Sequence, residues 1–405
     1  MKVLVVAGYC LRVNSSANLC HLSYIKGLID AGHDVELLTV SEKGQCVDES
    51  ICLPQNIKKY SYDGSLYERM SNKKRGTINK IVYSKQNISN KTQQSENKMI
   101  TVKKMIRNIY GVHGTDIVWY MHALRFKSSN MYDVVISLAH PPVSHKLVKV
   151  LSDKKRLKFK RWVQIWEDPW ALDLWGGVDN PSIRKEEGRI LSYADVICYV
   201  SPLTLLYQKK MFPNVSQKMI WQPVPSYYKT EEQAHRCKDN IYGYFGDYIP
   251  SVRNLKPFYD AAIAKRIKVN ICGNPIGLFC SNGNVLIHPR MSLDDLNKFE
   301  SITNVLVFLC NLKGGQIPGK IYQYSATNKI ILFILDGTEE EKKVIKEYFG
   351  KYNRYIFCNN TVEEIENAIL HIENDDFENI MSRPIDDFAP TNIINNIFVL
   401  SGIAE

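Results

Sequence analysis

Three places in this chain combine residue types that could do chemistry. The first is the run 314–335, GGQIPGKIYQYSATNKIILFIL, where two glycines and a Pro-Gly pair make a turn-rich loop. An amphipathic run over 320–327 follows, and six apolar residues then lie between Lys329 and Asp336. A glycine-rich entry to a helix exposes backbone N–H groups where the helix dipole favours anions such as phosphate, and Lys320 adds a positive charge in the first turn. The same residues also suit an ordinary loop–helix–strand unit with a solvated lysine. The second place is His140, just past the apolar strand predicted over 132–138. The third is the loop Glu167-Asp168-Pro169-Trp170, which follows the strand RWVQIW. Both loops leave the carboxyl end of a predicted strand, which is where open α/β sheets place their ligand crevice. The alternatives are a structural histidine and a Pro-centred turn in which Asp168 bonds its own backbone.

The elements that must position these residues follow a βα rhythm. Residues 2–7 form a continuous apolar strand, a loop with Asn14, Ser15 and Ser16 follows, a helix runs over about 17–31, and 34–40 form the second strand. That is a βαβ unit of a parallel sheet, with Ser15 or Ser16 as the helix N-cap. Its first turn lacks G-x-G-x-x-G, which argues against a dinucleotide held in the usual Rossmann manner. After the strands at 132–138 and 161–166 come a charged helix over 183–193, a strand over 195–200 and an apolar run over 219–224. Residues 226–240 read as a linker, and a second α/β series opens with the strand 241–245 and the loop 246–254. The expected organisation is therefore an N-terminal Rossmann-like domain over 1–225, the linker, a C-terminal Rossmann-like domain over 241–384, and a final helix within 385–405 able to pack back on the first domain. Two such doubly wound α/β domains would face each other across a cleft, a preferred ligand site.

With 405 residues, 45% hydrophobic and 23% charged, the chain can build two cores. A net charge of +10 and a pI of about 8.9 point to anionic partners. Between Arg69 and Arg107, eleven Lys or Arg residues face one acid, Glu96, which suits attraction to an anionic membrane surface. Aromatic residues are barely interleaved there, so nucleic acid is the weaker partner. Ten cysteines with no CxxC pair read as reduced thiols of a cytoplasmic protein, neither a disulfide frame nor a zinc site. No apolar run approaches the roughly 18 residues that span a bilayer, so membrane contact is expected to be peripheral, on the inner face of the cytoplasmic membrane.

In order, the segments AGHDVELLT, DVVISLAH, E-x-x-R-I-L-S-Y-A-D-V-I-C-Y-V-S (Glu186 to Ser201), YGYFG and IPGKIYQYSATNKIILF resemble the GT-B glycosyltransferases. The resemblance is to the large retaining group (group 1, family 4 type) that includes many capsule, O-antigen and exopolysaccharide enzymes. It implies that Gln316, Ile317, Pro318, Gly319 and Lys320 meet the donor sugar and phosphates, and that Gln323 bonds the ribose. The position of Gln323 normally holds a glutamate, and a second glutamate would fall on Gly315. In the loop resembling the diphosphate-binding segment, Gly246, Arg253 and Lys256 are the expected contacts, with Asp247 where a first basic residue is usual. Arg290 and Met291 fall in the base-binding loop. His140 would bond the donor sugar, and Asp168 would orient or deprotonate the acceptor hydroxyl. Asn14, Ser15, Trp166, Glu167 and Trp170 would line the acceptor side.

The expected activity is transfer of a hexose or N-acetylhexosamine from a nucleotide diphosphate sugar, UDP or GDP type, to a hydroxyl of a lipid-linked or free surface glycan, with retention. No metal or other cofactor is expected, since catalysis would rest on positioning and on charge stabilisation at the leaving diphosphate. A non-catalytic nucleotide-sugar or glycan binder is the alternative, and a nucleotide-sugar 2-epimerase a more distant one.

Overall fold

A computed structural model of the chain describes residues 1–55, 57–65, 110–174, 180–227, 240–275, 277–374 and 383–404. The basic segment 69–107 and most of the linker 226–240 lie outside the described residues. The chain divides into two compact units, Met1–Ala171 with Val178–Cys198 and Phe212–Ile220, and Leu172–Gly177 with Tyr199–Met211 and Trp221–Glu405. The second unit therefore starts before residue 241: it includes the helix after Ser201 and a short piece near 172–177.

In the first series the elements are β1 (Lys2–Ala7), α1 (Ser16–Asp30), β2 (Asp34–Val40), β3 (Lys58–Tyr62), α2 (Asp116–Ala123), β4 (Met131–Ala139), α3 (Val143–Asp153), β5 (Lys158–Trp166), α4 (Pro181–Leu191), β6 (Val196–Tyr199), α5 (Pro202–Met211) and β7 (Met219–Trp221). The sheet order is β3-β2-β1-β4-β5-β6-β7, and β1 pairs in parallel with both β2 (Val3 opposite Val35) and β4 (Val3 opposite Val134). Continuous apolar runs make central strands because a parallel sheet is covered on both faces. Val3 to Ala7 are accordingly all fully buried. Ser15 is the N-cap of α1, its hydroxyl accepting from the Asn18 amide at 3.2 Å.

The second series comprises β8 (Ile241–Phe245), α6 (Lys256–Ala264), β9 (Lys268–Cys272), β10 (Val285–His288), α7 (Leu293–Ile302), β11 (Val305–Leu309), α8 (Lys320–Tyr324), β12 (Ile330–Leu335), α9 (Glu339–Gly350), β13 (Ile356–Asn359), α10 (Val362–Glu373) and α11 (Pro390–Leu400). Its order, β10-β9-β8-β11-β12-β13, is the doubly wound Rossmann order. The helix expected over 320–327 has only five residues, because Ala326 and Thr327 close it with turn bonds to Gln323 and Tyr324. Helix α11 buries Ile393, Ile394, Ile397 and Phe398 and is counted with the second unit. Two elements escaped the sequence reading. Strand β3, KKYSY, is an exposed edge strand with no apolar run, and α2 lies among aromatic and turn residues without clear periodicity.

Candidate functional site

In a doubly wound sheet the order reverses beside the first strand, and the loops there diverge to leave a crevice at the carboxyl ends. In the second unit that point lies between β8 and β11. Gly246 follows β8, and its amide donates to the Cys272 carbonyl at 3.0 Å. A Cβ on Gly273 would lie 2.0 Å from the Gly246 oxygen, so glycine at 273 is what lets the two loops touch. Arg253 is tied down at both ends of its guanidinium: Nε and Nη2 donate to Asn311 Oδ1 (3.1 and 2.9 Å), and Nη1 to the Asp247 carbonyl (3.0 Å). Asn311 in turn donates through Nδ2 to the Gln316 carbonyl at 2.8 Å. Arg253 and Asn311 thus join the loop after β8 to the glycine-rich loop after β11.

Two further cations stand close by, each with a carboxylate. Arg290 Nη1 lies 3.2 Å from Asp247 Oδ2, and Lys320 Nζ lies 3.0 Å from Glu300 Oε1. Burial pulls the Lys320 ammonium toward losing its proton, but Glu300 more than offsets this and its pKa ends above the ordinary lysine value. Among the described residues, Asp247 and Glu300 are the carboxylates paired with Arg290 and Lys320, while Arg253 is held by neutral oxygens. Asp247, standing where a basic residue was expected, braces the loop by accepting from the Asn274 amide at 3.0 Å and from Arg290. The neighbouring Cys272 thiol is pushed up to about 12, first by burial and then by Glu300, so it is inert as a nucleophile.

The other predicted donor residues are placed less simply. Lys256 is exposed and bonds Asp260 one turn along α6, at 2.7 and 2.8 Å, so it does not extend the Arg253 cluster. Gln316 is buried, accepting from the Leu174 amide at 3.0 Å, and Ile317 is buried beside it. Gln323 is also buried, and its carboxamide oxygen accepts from the Tyr227 amide. A ribose hydroxyl would have to displace that bond. Pro318 and Gly319 lead into α8, with Gly319 at its N-cap; a five-residue helix has little dipole, so binding charge here comes from the side chains. Met291 is half-buried in the loop beside Arg290.

Gly315 explains its own departure from the glutamate pattern. Its φ is +67°, and a Cβ would stand 2.7 Å from Leu203 Cβ and 2.9 Å from Tyr207 Cε2. Its carbonyl accepts from Ser201 Oγ at 2.6 Å. No side chain fits there.

The first unit reverses its order between β1 and β4, and His140 stands there, directly after β4. A Cβ on Gly8, after β1, would lie 2.6 Å from Pro141 Cγ, and the Gly8 amide donates to Ser144 Oγ at 2.9 Å. His140 Nε2 lies 3.8 Å from Asp168 Oδ2, with the histidine side chain 21% and the aspartate 32% exposed. Two loops remote in sequence thus meet as an acid–base pair open to solvent. Beneath it lie three buried groups. Burial pushes His21 down to about 3, holds His145 well below the usual imidazole range and raises the Glu167 carboxyl well above its usual range. His21 Nε2 and Glu167 Oε1 are 3.3 Å apart, and burial disfavours the charged form of both. Glu167 is therefore a floor to the pair and does not face an acceptor.

Trp166 is also corrected to the core. It is fully buried, donates to Gln164 Oε1 at 3.0 Å, and packs its ring 4.5 Å from that of His145, so neither face is open to a sugar. Trp170 is half-buried, its ring 4.9 Å from His113. Asn14 bonds Asp48 Oδ2 at 2.9 Å, and Ser15 caps α1. Asn311, Glu300 and His21 are residues the sequence reading missed, and nothing local marks them.

No family model matches this sequence, and a search of curated proteins finds no match. Solved structures do match along nearly the whole chain. Sucrose-phosphate synthase from Thermosynechococcus elongatus superposes with a TM-score of 0.55 at 12% identity, covering 99% of this chain and 96% of that one. A glycosyltransferase from Rickettsia africae ESF-5 gives 0.55 at 11%, covering 99% and 98%. The lipopolysaccharide outer core galactosyltransferase WaaB, in its apo form, gives 0.51 at 10%, covering 99% and 100%. With its two Rossmann-ordered parallel sheets of seven and six strands, the chain has the GT-B fold of these glycosyltransferases. At such identities the likeness is one of fold, and the reaction has to be argued from the residues.

Proposed function

We propose that this protein is a glycosyltransferase that takes a hexose or N-acetylhexosamine from a UDP- or GDP-type nucleotide sugar and transfers it to a hydroxyl of a lipid-linked surface glycan. The observation that carries the reading is the braced cation cluster of the second unit, Arg253 on Asn311 with Arg290 and Lys320 alongside, at the reversal point of a Rossmann sheet. A diphosphate there would exchange the Lys320–Glu300 and Arg290–Asp247 contacts for its own oxygens. The preorganised charge would then stabilise the leaving nucleotide as the glycosidic bond to the phosphate breaks. Arginine suits the bidentate part of that task because its planar fork is fixed beforehand. On the acceptor side, Asp168 takes the proton of the attacking hydroxyl, and His140 bonds the donor sugar. Retention is proposed from the family resemblance alone. No helix among the described residues is long and apolar enough to cross a membrane, and attachment to an anionic membrane surface is proposed through the basic segment 69–107.

Thermal shift with UDP, GDP, CMP and their sugars tests the donor site. A nucleotide at one hundred times its Kd stabilises the fold by about 2.7 kcal/mol. Lys320→Ala should abolish the shift, and His140→Ala should spare it while stopping transfer. No shift with any nucleotide would refute the reading, normal transfer by His140→Ala would remove the role given to that residue, and a nucleotide shift without transfer by the wild-type protein would leave a binding role only.

A further inference from the structure

The Asp168 loop is gripped by a residue to which nothing above assigns a task. Glu187, in the middle of α4, is fully buried, and among the described contacts no cation bonds it. Its Oε1 accepts from the Trp170 amide at 3.1 Å and its Oε2 from the Ala171 amide at 2.7 Å. The adjacent Glu186 works on the same tryptophan from the other side. It holds His113 at 3.0 Å, with Lys146 at 3.2 Å and Arg189 at 2.6 Å, and the His113 ring packs 4.9 Å from the Trp170 ring. Consecutive carboxylates of one helix thus secure the main chain and the side chain of Trp170.

A buried carboxylate is a costly way to anchor a loop, since burial disfavours the charged form. It does one thing a carboxamide cannot: both oxygens keep lone pairs that accept, the hydroxyl oxygen included when the group is protonated, so two successive amides can be held at once. Those amides lie two and three residues beyond Asp168. The Asp168 oxygen stands 3.8 Å from His140 Nε2, so a displacement of about 1 Å would change which proton Asp168 can reach.

We infer that Glu187 is a positioning residue for the transfer reaction: by holding the amides of Trp170 and Ala171 it sets where the Asp168 carboxylate stands relative to the His140 ring. The inference rests on the transferase reading. Glu187→Gln keeps the shape and leaves one acceptor, its NH2 then facing an amide N–H. The measurements are kcat and KM for nucleotide release from a panel of UDP- and GDP-sugars, the thermal shift with UDP and GDP, and amide hydrogen exchange across residues 167–174. Expected in Glu187→Gln are a roughly ten- to hundredfold lower kcat, a donor KM within about twofold of wild type, an unchanged nucleotide shift and faster exchange in the loop. Wild-type kcat in a folded Glu187→Gln protein would overturn the inference, and so would parallel losses of kcat and of the nucleotide shift. Should that variant fail to fold, Glu187→Asp, whose shorter arm cannot reach both amides, must show the same kcat loss, and wild-type kcat there overturns the inference equally. A wild-type protein that releases nucleotide from none of the donors overturns the transferase reading and this inference together.

Discussion

Substituting Gly315 tests whether the absence of a carboxylate from the proposed donor site is a steric necessity. The residue has φ +67°, and a Cβ would stand 2.7 Å from Cβ of the buried Leu203 and 2.9 Å from Cε2 of the half-buried Tyr207. A left-handed backbone at a non-glycine residue costs about 1 kcal/mol, and forcing a methyl into filled space costs about 1–3 more. Gly315→Ala should therefore lose roughly 3 kcal/mol. At about 2–4 °C per kcal/mol for a unit of this size, the melting temperature should fall by roughly 6–12 °C. Gly315→Glu, which supplies the residue the family resemblance leads one to expect here, should fall further and should not raise turnover. Pulling the loop off α5 would also break the 2.6 Å bond from Ser201 to the Gly315 carbonyl. Leu203→Ala combined with Gly315→Ala should recover part of the loss, a coupling that a double-mutant cycle reads directly. Differential scanning fluorimetry with urea unfolding is the assay. A Gly315→Glu protein with wild-type stability and faster turnover would show that the loop has room, and the steric explanation would be wrong.

The remaining predictions concern stability. Burial raises the Glu187 carboxyl from 4.5 to about 7 despite its two amide bonds and the nearby Arg184. Its protonated form is favoured in the folded state, so its contribution is full below about pH 4.5 and is lost as pH rises toward 7, by roughly 3 kcal/mol. Urea midpoints measured between about pH 4 and 8 should show this slope in wild type and not in Glu187→Gln; parallel curves would contradict it. Glu186, held down to about 2, contributes in the opposite sense and only at lower pH, where it cancels between the two proteins. In the second unit, Arg354 is fully buried, and its guanidinium donates to the carbonyls of Arg383 (3.0 Å), Thr327 (2.8 Å) and Lys329. Arg354→Met should cost about 3–5 kcal/mol by orphaning those carbonyls, and Arg354→Lys should not rescue it; a wild-type melting temperature for either would refute this.

Much of the fold was legible because parallel strands buried on both faces are continuous apolar runs. Residues 2–7, 34–40, 241–245 and 330–335 are recognised with the bounds they have in the structure. Strand β3 was not, since an edge strand reading KKYSY buries too little to carry a pattern. The candidate site was legible only in part. His140 and Asp168 were placed at strand ends by periodicity, and the structure sets them 3.8 Å apart. Trp166 was expected on the acceptor side and packs on His145 in the core, because residue type alone does not tell which face of a strand is covered. Asp247 looked like a lost cation and instead braces Arg290 and the Asn274 amide.

Local sequence determined the βα alternation, the two Rossmann-like series and the positions of the loops at strand ends, since each depends on neighbours within a few residues. Tertiary structure alone decided which side chains those loops share. Lys320 meets Glu300 twenty residues earlier, Arg253 meets Asn311 fifty-eight residues later, and Glu187 reaches back to Trp170 across seventeen. Such pairings depend on distances that no local pattern encodes. The glycine-rich loop shows both sides: its turn chemistry is plain in the letters, while the reason Gly315 can carry no carboxylate lies in Leu203 and Tyr207, more than one hundred residues away in the chain and in contact in space.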